Sequence, residues 1–143
     1  MNDDYDFEMS WKVRDYECDL QGIVNNAIYM HYLEFTRNEF LNQTGTNLGD
    51  LHAMGIDIVL ARITMSLKTP LRPGDEVLSK MKISKEKIKY VFNQDLYRKS
   101  DNKIVCRAIV ELVSLINGKL GNSKIVDKLL LTQIKDKNDS KFS

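Results

Sequence analysis

At 143 residues, 43% hydrophobic and 29% charged, the chain has the length and composition of one globular domain with one core. A formal net charge of +1 excludes any global pull towards nucleic acid or an anionic membrane. Two cysteines, Cys18 and Cys106, and two histidines, His31 and His52, are too few and too scattered for a disulfide framework or a metal centre. The opening "MNDDYDFEMSW" is acidic and lacks the apolar core of a signal peptide. No run approaches the ~20 apolar residues of a membrane span. The expectation is a cytoplasmic protein without membrane or nucleic-acid partners.

In chain order, Phe7, Met9, Trp11 and Val13 alternate with Glu8, Ser10, Lys12 and Arg14, the period of a strand with one buried face. A loop reading "CDLQGIVNNAIY" (Cys18–Tyr29) follows. From about Asn26 the period changes: Ile28, Tyr29, Tyr32, Leu33, Phe35, Thr36, Phe40 and Leu41 recur at helical spacing. Asn25 or Asn26 suits the cap and Gly45 the end. Residues 42–55 read as a turn-rich connection with room for one short helical turn. In the strand predicted over Ile58–Thr69, Val59, Ala61, Ile63, Met65 and Leu67 share one face, with Arg62, Thr64, Ser66 and Lys68 opposite. A turn holding both prolines (Pro70–Glu76) leads to a strand marked by Val77, Met81 and Ile83. A basic turn (Ser84–Lys89), a strand through Tyr90, Phe92 and Leu96, and a turn at Lys99–Lys103 come next. The last strand places Ile104, Cys106, Ala108, Val110 and Leu112 on one face, and an amphipathic piece spans Ile125–Ile134. Residues 1–134 read as a single domain and 135–143 as a disordered tail.

One strand, one long helix and four strands joined by short turns predict an α+β roll: an antiparallel five-stranded sheet wrapped around one long central helix. One helix leaves much of such a sheet bare, and Arg107 and Glu111 sit among apolar neighbours on the last strand. Burial against further copies is therefore expected. A cystatin-like roll shares the element order but is a monomer.

Within the quoted loop, Asp19, Gly22, Ile23, Val24 and Tyr29 stand in a register that resembles the signature of hotdog-fold thioesterases, specifically the 4-hydroxybenzoyl-CoA thioesterase-like group. "RPGDEV" (Arg72–Val77) resembles that family's turn after its second strand, and the resemblance runs from about Met9 to Leu115. The pair Asn25–Asn26 is similar to the variant of acyl-lipid and acyl-ACP branches; some bacterial members carry His or Tyr where this chain has Asn26. The resemblance implies a hotdog thioesterase acting on acyl-CoA or acyl-ACP, as a homodimer or homotetramer with its site at the subunit interface. It implies no metal and no separate cofactor, CoA being part of the substrate. Asp19 matches the catalytic carboxylate, which either attacks the carbonyl or activates water. The backbone at Gly22, Val24, Asn25 and Asn26 matches the helix start that polarises the carbonyl. Tyr29, Tyr32 and Leu33 would line the acyl group, Val59 and Ala61 of a second copy would close it, and Lys87 and Lys89 would meet CoA phosphates.

The chemistry asks little of the protein, because a thiolate leaves readily and needs no strong general acid. Each residue also has a plainer role. Asp19 suits a turn cap, Asn25 and Asn26 suit helix caps, and the tyrosines suit the core. Gln21 is positioned to orient water; Lys85, Lys87 and Lys89 also read as a solvated edge. Cys18 with His31 would make a cysteine hydrolase only if the fold joined them. Two other activities share the fold: acyl-CoA binding without catalysis, against which the Asp19 carboxylate argues, and hydration, for which the loop before the helix lacks a histidine.

Overall fold

The computed structural model describes residues 5–131. Its elements are β1 (Phe7–Lys12), a 3-10 turn (Asp15–Glu17), α1 (Ile28–Asn42), α2 (Leu48–Ala53), β2 (Ile56–Leu67), β3 (Glu76–Glu86), β4 (Lys89–Arg98), β5 (Lys103–Ile116) and β6 (Lys119–Leu120). A further helix, α3, occupies residues 124–131. The rest of the expected Ile125–Ile134 piece and the tail at 135–143 lie outside the described residues.

The strands form one antiparallel sheet in the order β1-β3-β4-β5-β2, with β6 added beside β5. Short turns make β3, β4 and β5 a meander, while α1 carries the chain from one edge strand to the other. The sheet curls around α1, as expected from the element order. Along α1, Tyr29, Tyr32, Leu33, Thr36, Phe40 and Leu41 are buried at three- and four-residue spacing. Trp11 of β1 packs on Tyr32 and Phe35, with ring centroids 5.1 and 5.4 Å apart, and Phe7 meets Phe40 at 5.6 Å. Each such ring contact contributes about 0.5–1.5 kcal/mol beyond its buried area.

Polar groups also join helix to sheet. The Thr36 hydroxyl donates to the Tyr32 carbonyl (3.1 Å) and lies 2.8 Å from the Ser79 hydroxyl of β3. Gln94 of β4, wholly buried, donates its amide to the Leu33 carbonyl at 3.0 Å. Leaving a buried polar group unpaired is costly, so these bonds favour one seating of α1 on the sheet.

Strand β2 departs from the expected alternation. Leu60 pairs with Leu112 but Arg62 pairs with Glu111, so Ala61 is the extra residue of a β-bulge. Ile58, opposite Ser114, and Leu60 face α1 before the bulge; Ile63 and Met65, opposite Val110 and Ala108, do so after it. Val59 pairs with Val113 on the outer face. The expected grouping of Val59 and Ala61 with Ile63 is thereby corrected, because an unrecognised bulge reverses every side chain on one side of it.

Arg107 and Glu111 also point outward and find partners within the chain. The Arg107 Nε lies 3.4 Å from Asp95 Oδ1, and Lys89 Nζ lies 2.7 Å from Glu111 Oε1. Their presence on β5 therefore gives no separate reason for a partner subunit. Strand β6 was not expected. It returns through Asn117–Gly118, both with positive φ (50° and 81°), the geometry of a two-residue hairpin loop.

Candidate active site

The chain leaving β1 is gathered by a buried carboxylate. Glu17 is 6% exposed, yet both its oxygens are filled. Oε1 accepts the Arg14 N–H (2.9 Å) and the Tyr32 hydroxyl (2.8 Å); Oε2 accepts Arg14 Nε (3.2 Å) and Nη2 (2.7 Å). Burial alone pushes this carboxyl up, but the donors outweigh it and hold its pKa below the ordinary glutamate value. Burial and the Glu17 charge drive the Tyr32 hydroxyl far above its usual range, so it stays a donor.

Beyond Glu17 the chain doubles back. Cys18 forms an antiparallel bridge with Val24. Between them the Asp19 N–H donates to the Ile23 carbonyl (2.9 Å) and the Gly22 N–H to the Asp19 carbonyl (3.0 Å). Gly22 has φ +77°, a left-handed conformation that glycine adopts without a Cβ clash. The half-buried Asp19 accepts the Gln21 N–H on Oδ1 at 2.9 Å. Among the described residues no donor meets its Oδ2. The loop-cap role and a free carboxylate oxygen thus coexist in Asp19.

Hydrogen bonding narrows the expected carbonyl-polarising set. The Gly22 N–H is committed inside the loop. The Val24 N–H donates to the Leu71 carbonyl (2.9 Å) and the Asn25 N–H to the Glu17 carbonyl (2.9 Å). The Ala27 N–H meets Asn25 Oδ1 and the Ile28 N–H meets the Asn25 carbonyl, both at 2.9 Å. Asn25 therefore closes a turn two residues ahead of Ala27, the N-cap of α1, which has no side-chain cap bond. Across residues 24–28, the Asn26 N–H is the one without an acceptor among the described residues. It stands at the start of a 15-residue helix, where the backbone dipole is positive.

The turn between β2 and β3, which holds one of the resembling stretches, is bonded to the end of β1 and to Val24 in the other. Asp75 accepts the Val13 N–H (2.8 Å), Val13 accepts the Gly74 N–H (3.0 Å), and Leu71 accepts the Val24 N–H. The turn between β2 and β3 thus holds the end of β1 through Val13 and the far end of the Asp19 loop through Val24, and Leu71 is wholly buried.

Tyr29, Tyr32 and Leu33 are 4%, 2% and 0% exposed and belong to the core of this chain. Burial pushes the Tyr29 hydroxyl up to about 12, partly offset by a hydrogen bond with the Leu71 backbone. Val59 lies on the outer face, and Ala61 is exposed at the bulge. Lys87 is exposed in the two-residue loop between β3 and β4, with φ +58°, whereas Lys89 is paired with Glu111. Lys85 pairs with Asp127 of α3 at 2.7 Å.

The thiol of Cys18 is pushed up by burial, then by the surrounding charges of Glu17, Asp15, Asp19 and Asp75. That environment opposes a thiolate. His31 is exposed on α1, and among the described residues no hydrogen bond joins it to Cys18. Glu17, Gln94 and Arg37 were missed in the sequence. Signals for the first two exist: Arg14 and Glu17 have the three-residue spacing of a capping box, and Gln94 interrupts the inward face Tyr90, Phe92, Leu96.

A curled antiparallel sheet around one helix, with an aspartate loop at the helix start, defines the hotdog class of α+β protein. Residues 13–132 match the model of the thioesterase-like superfamily, and the chain belongs to that family. It is 42% identical over 77 residues to Acyl-acyl carrier protein thioesterase ATL3, chloroplastic, from Arabidopsis thaliana; that match covers 54% of this chain and 40% of the relative. The match to ATL2 from the same plant is 38% identical and covers 41% of that protein. The matched part is thus well under half of the curated relatives' length. Among solved structures, a 1,4-dihydroxy-2-naphthoyl-CoA thioesterase from Synechocystis superposes with TM-score 0.81 at 16% identity, over 91% of this chain and 96% of that one. A hypothetical protein from Aquifex aeolicus superposes with TM-score 0.79 at 27% identity, over 87% and 98%. Among the described residues, no helix is long and apolar enough to cross a membrane.

Proposed function

We propose that the protein hydrolyses acyl thioesters of CoA or acyl carrier protein to a free acid and a thiol. The observation that carries the reading is the unpaired Asn26 N–H at the positive end of α1, two residues beyond the doubled-back loop that carries the free oxygen of Asp19. In this mechanism the thioester oxygen accepts the Asn26 N–H, which favours the charge that develops on it. Asp19 Oδ2 either takes a proton from the attacking water or attacks the carbonyl itself, giving an anhydride that water then opens. The C–S bond breaks and the thiolate departs in both routes. Membership of the thioesterase-like superfamily supports the reaction class, and the plant acyl-ACP thioesterases support a carrier-protein thioester as one substrate.

A second copy pairing along β2 completes the site. β2 is an edge strand with exposed Leu67 and a free backbone edge, a surface that further copies would cover. Lys87 remains available for CoA phosphates; Lys89 would first have to leave Glu111.

Thiol release from short, long and aromatic acyl-CoA esters and from acyl-ACP, for wild type and Asp19→Asn, tests the proposal. Release should fall about 10²–10⁴-fold in the variant, with melting temperature and oligomeric mass unchanged. Unchanged release in Asp19→Asn would return Asp19 to a loop cap. No release from any ester, with acyl-CoA still bound, would make the protein a binder instead.

A further inference from the structure

On the other end of α1, about 14 Å along the axis from Ile28, lies a cleft away from the Asp19 loop. Leu41, Leu48, Ile58, Leu60 and Phe92 supply most of its apolar wall, and Arg37 lines it with them. Its volume is about 130 Å³. A cavity of about 150 Å³ takes a benzene ring, so this cleft suits a group of that size.

Arg37 is what makes the cleft unusual. Its Nη1 donates to Gln94 Oε1 at 3.0 Å, and Gln94 is oriented by its own bond to the Leu33 carbonyl. That amide oxygen is neutral. Among the described residues no carboxylate lies within ion-pair distance of the guanidinium. Glu34, one turn earlier, also lines the cleft and favours the charge only from a distance. Arg37 is half-buried, and that burial depresses its pKa. A partly desolvated guanidinium beside apolar walls and away from any carboxylate carries a cost, which an arriving anion offsets. The guanidinium fork fits a carboxylate with two parallel hydrogen bonds.

We propose that this cleft binds a carboxylate carried on an apolar body of about ring size, with Arg37 as its counter-ion. The ligand has two chemical sources: a free acid, as thioester hydrolysis would release, or a carboxylate at the far end of an acyl group still held as a thioester. The binding itself stands whether or not the protein hydrolyses thioesters.

Calorimetric titration of the full chain with benzoate and hexanoate, against benzamide and hexanamide, reads the proposal directly. The acids should bind at least tenfold more tightly than the amides in wild type. Arg37→Gln should erase that preference while leaving amide binding as it was, and Arg37→Lys should keep part of it. Leu48→Trp, at a partly exposed wall position, should block all four ligands without touching the guanidinium. Equal affinity for acids and amides in wild type, or a preference that survives Arg37→Gln, overturns the proposal. Two kinetic comparisons identify the source. A lower KM for the adipate half-thioester than for hexanoyl-CoA, lost in Arg37→Gln, assigns the site to substrate. Inhibition by free hexanoate, lost in the same variant, assigns it to product. Each supports the site.

Discussion

Replacing Glu17 by Gln tests whether the buried carboxylate organises the Asp19 loop. The substitution keeps the shape but leaves an amide NH₂ group facing the Arg14 guanidinium, donor against donor. Charged hydrogen bonds contribute about 1.5–3 kcal/mol each, and two reach Oε2 from the guanidinium at 2.7 and 3.2 Å. The Arg14 side chain is 48% exposed, so water takes back part of that loss. A net destabilisation of about 2 kcal/mol follows, or roughly 6–8 °C in melting temperature for a chain of this size. The folded-state pKa of Glu17 lies below its unfolded value, so the unfolded chain binds the extra proton as the solution is acidified. The contribution of Glu17 is therefore full at neutral pH. It declines once pH falls below about 4.3 and is gone beneath the depressed folded value. Melting of both proteins by circular dichroism across that range should show a gap that closes towards acid. A gap near zero at neutral pH, or one that persists unchanged in acid, would refute the reasoning.

Three other perturbations test the frame around the site. Thr36→Val strips the Ser79 hydroxyl of a partner where both residues are fully buried, and should lower stability by about 1–3 kcal/mol in urea titration. Adding Ser79→Ala should recover part of that loss, and strict additivity would contradict the pairing. Deleting Ala61 removes the bulge yet keeps Leu60 and Ile63 on the helix-facing side, so the variant should melt much like wild type. Deleting Thr64 instead reverses the faces on one side of the cut and should unfold the strand. Gly55→Ala places a Cβ against the Asn117 side chain at φ +81° and should cost at least about 1–2 kcal/mol, read as a shifted urea midpoint.

The fold was legible because its signals are periodic and local. Helical spacing from Ile28 to Leu41 and alternation in β1, β3, β4 and β5 from Cys106 to Leu112 each report one buried face, whereas a bulge at Val105 turns Ile104 to the other face of β5. Where periodicity breaks, legibility ends. The Ala61 bulge leaves no mark in composition, so the sequence reads through it and Val59 lands on the wrong face. Strand β6 is different, since Asn117–Gly118 is among the strongest hairpin signals, but only two residues follow it before the pairing ends.

The site was legible as residue types and not as hydrogen bonds. Asp19, Gly22 and the two asparagines announce a turn running into a helix, and the structure has that turn. Which N–H remains free is decided by groups distant in sequence. Leu71, some 47 positions beyond Val24, takes its N–H; Glu17 takes that of Asn25. Asn25 turns its side chain back on Ala27 and its carbonyl on Ile28. One donor survives this allocation, at Asn26. The selection is sharper than the loop sequence implies, because each neighbouring N–H is already held by the bonds that shape the loop. Moving the free donor by one position would require breaking the Asn25–Glu17 backbone bond or opening the Asn25 turn before α1. The same bonds that stabilise the turn therefore determine which backbone N–H is left free at the start of α1.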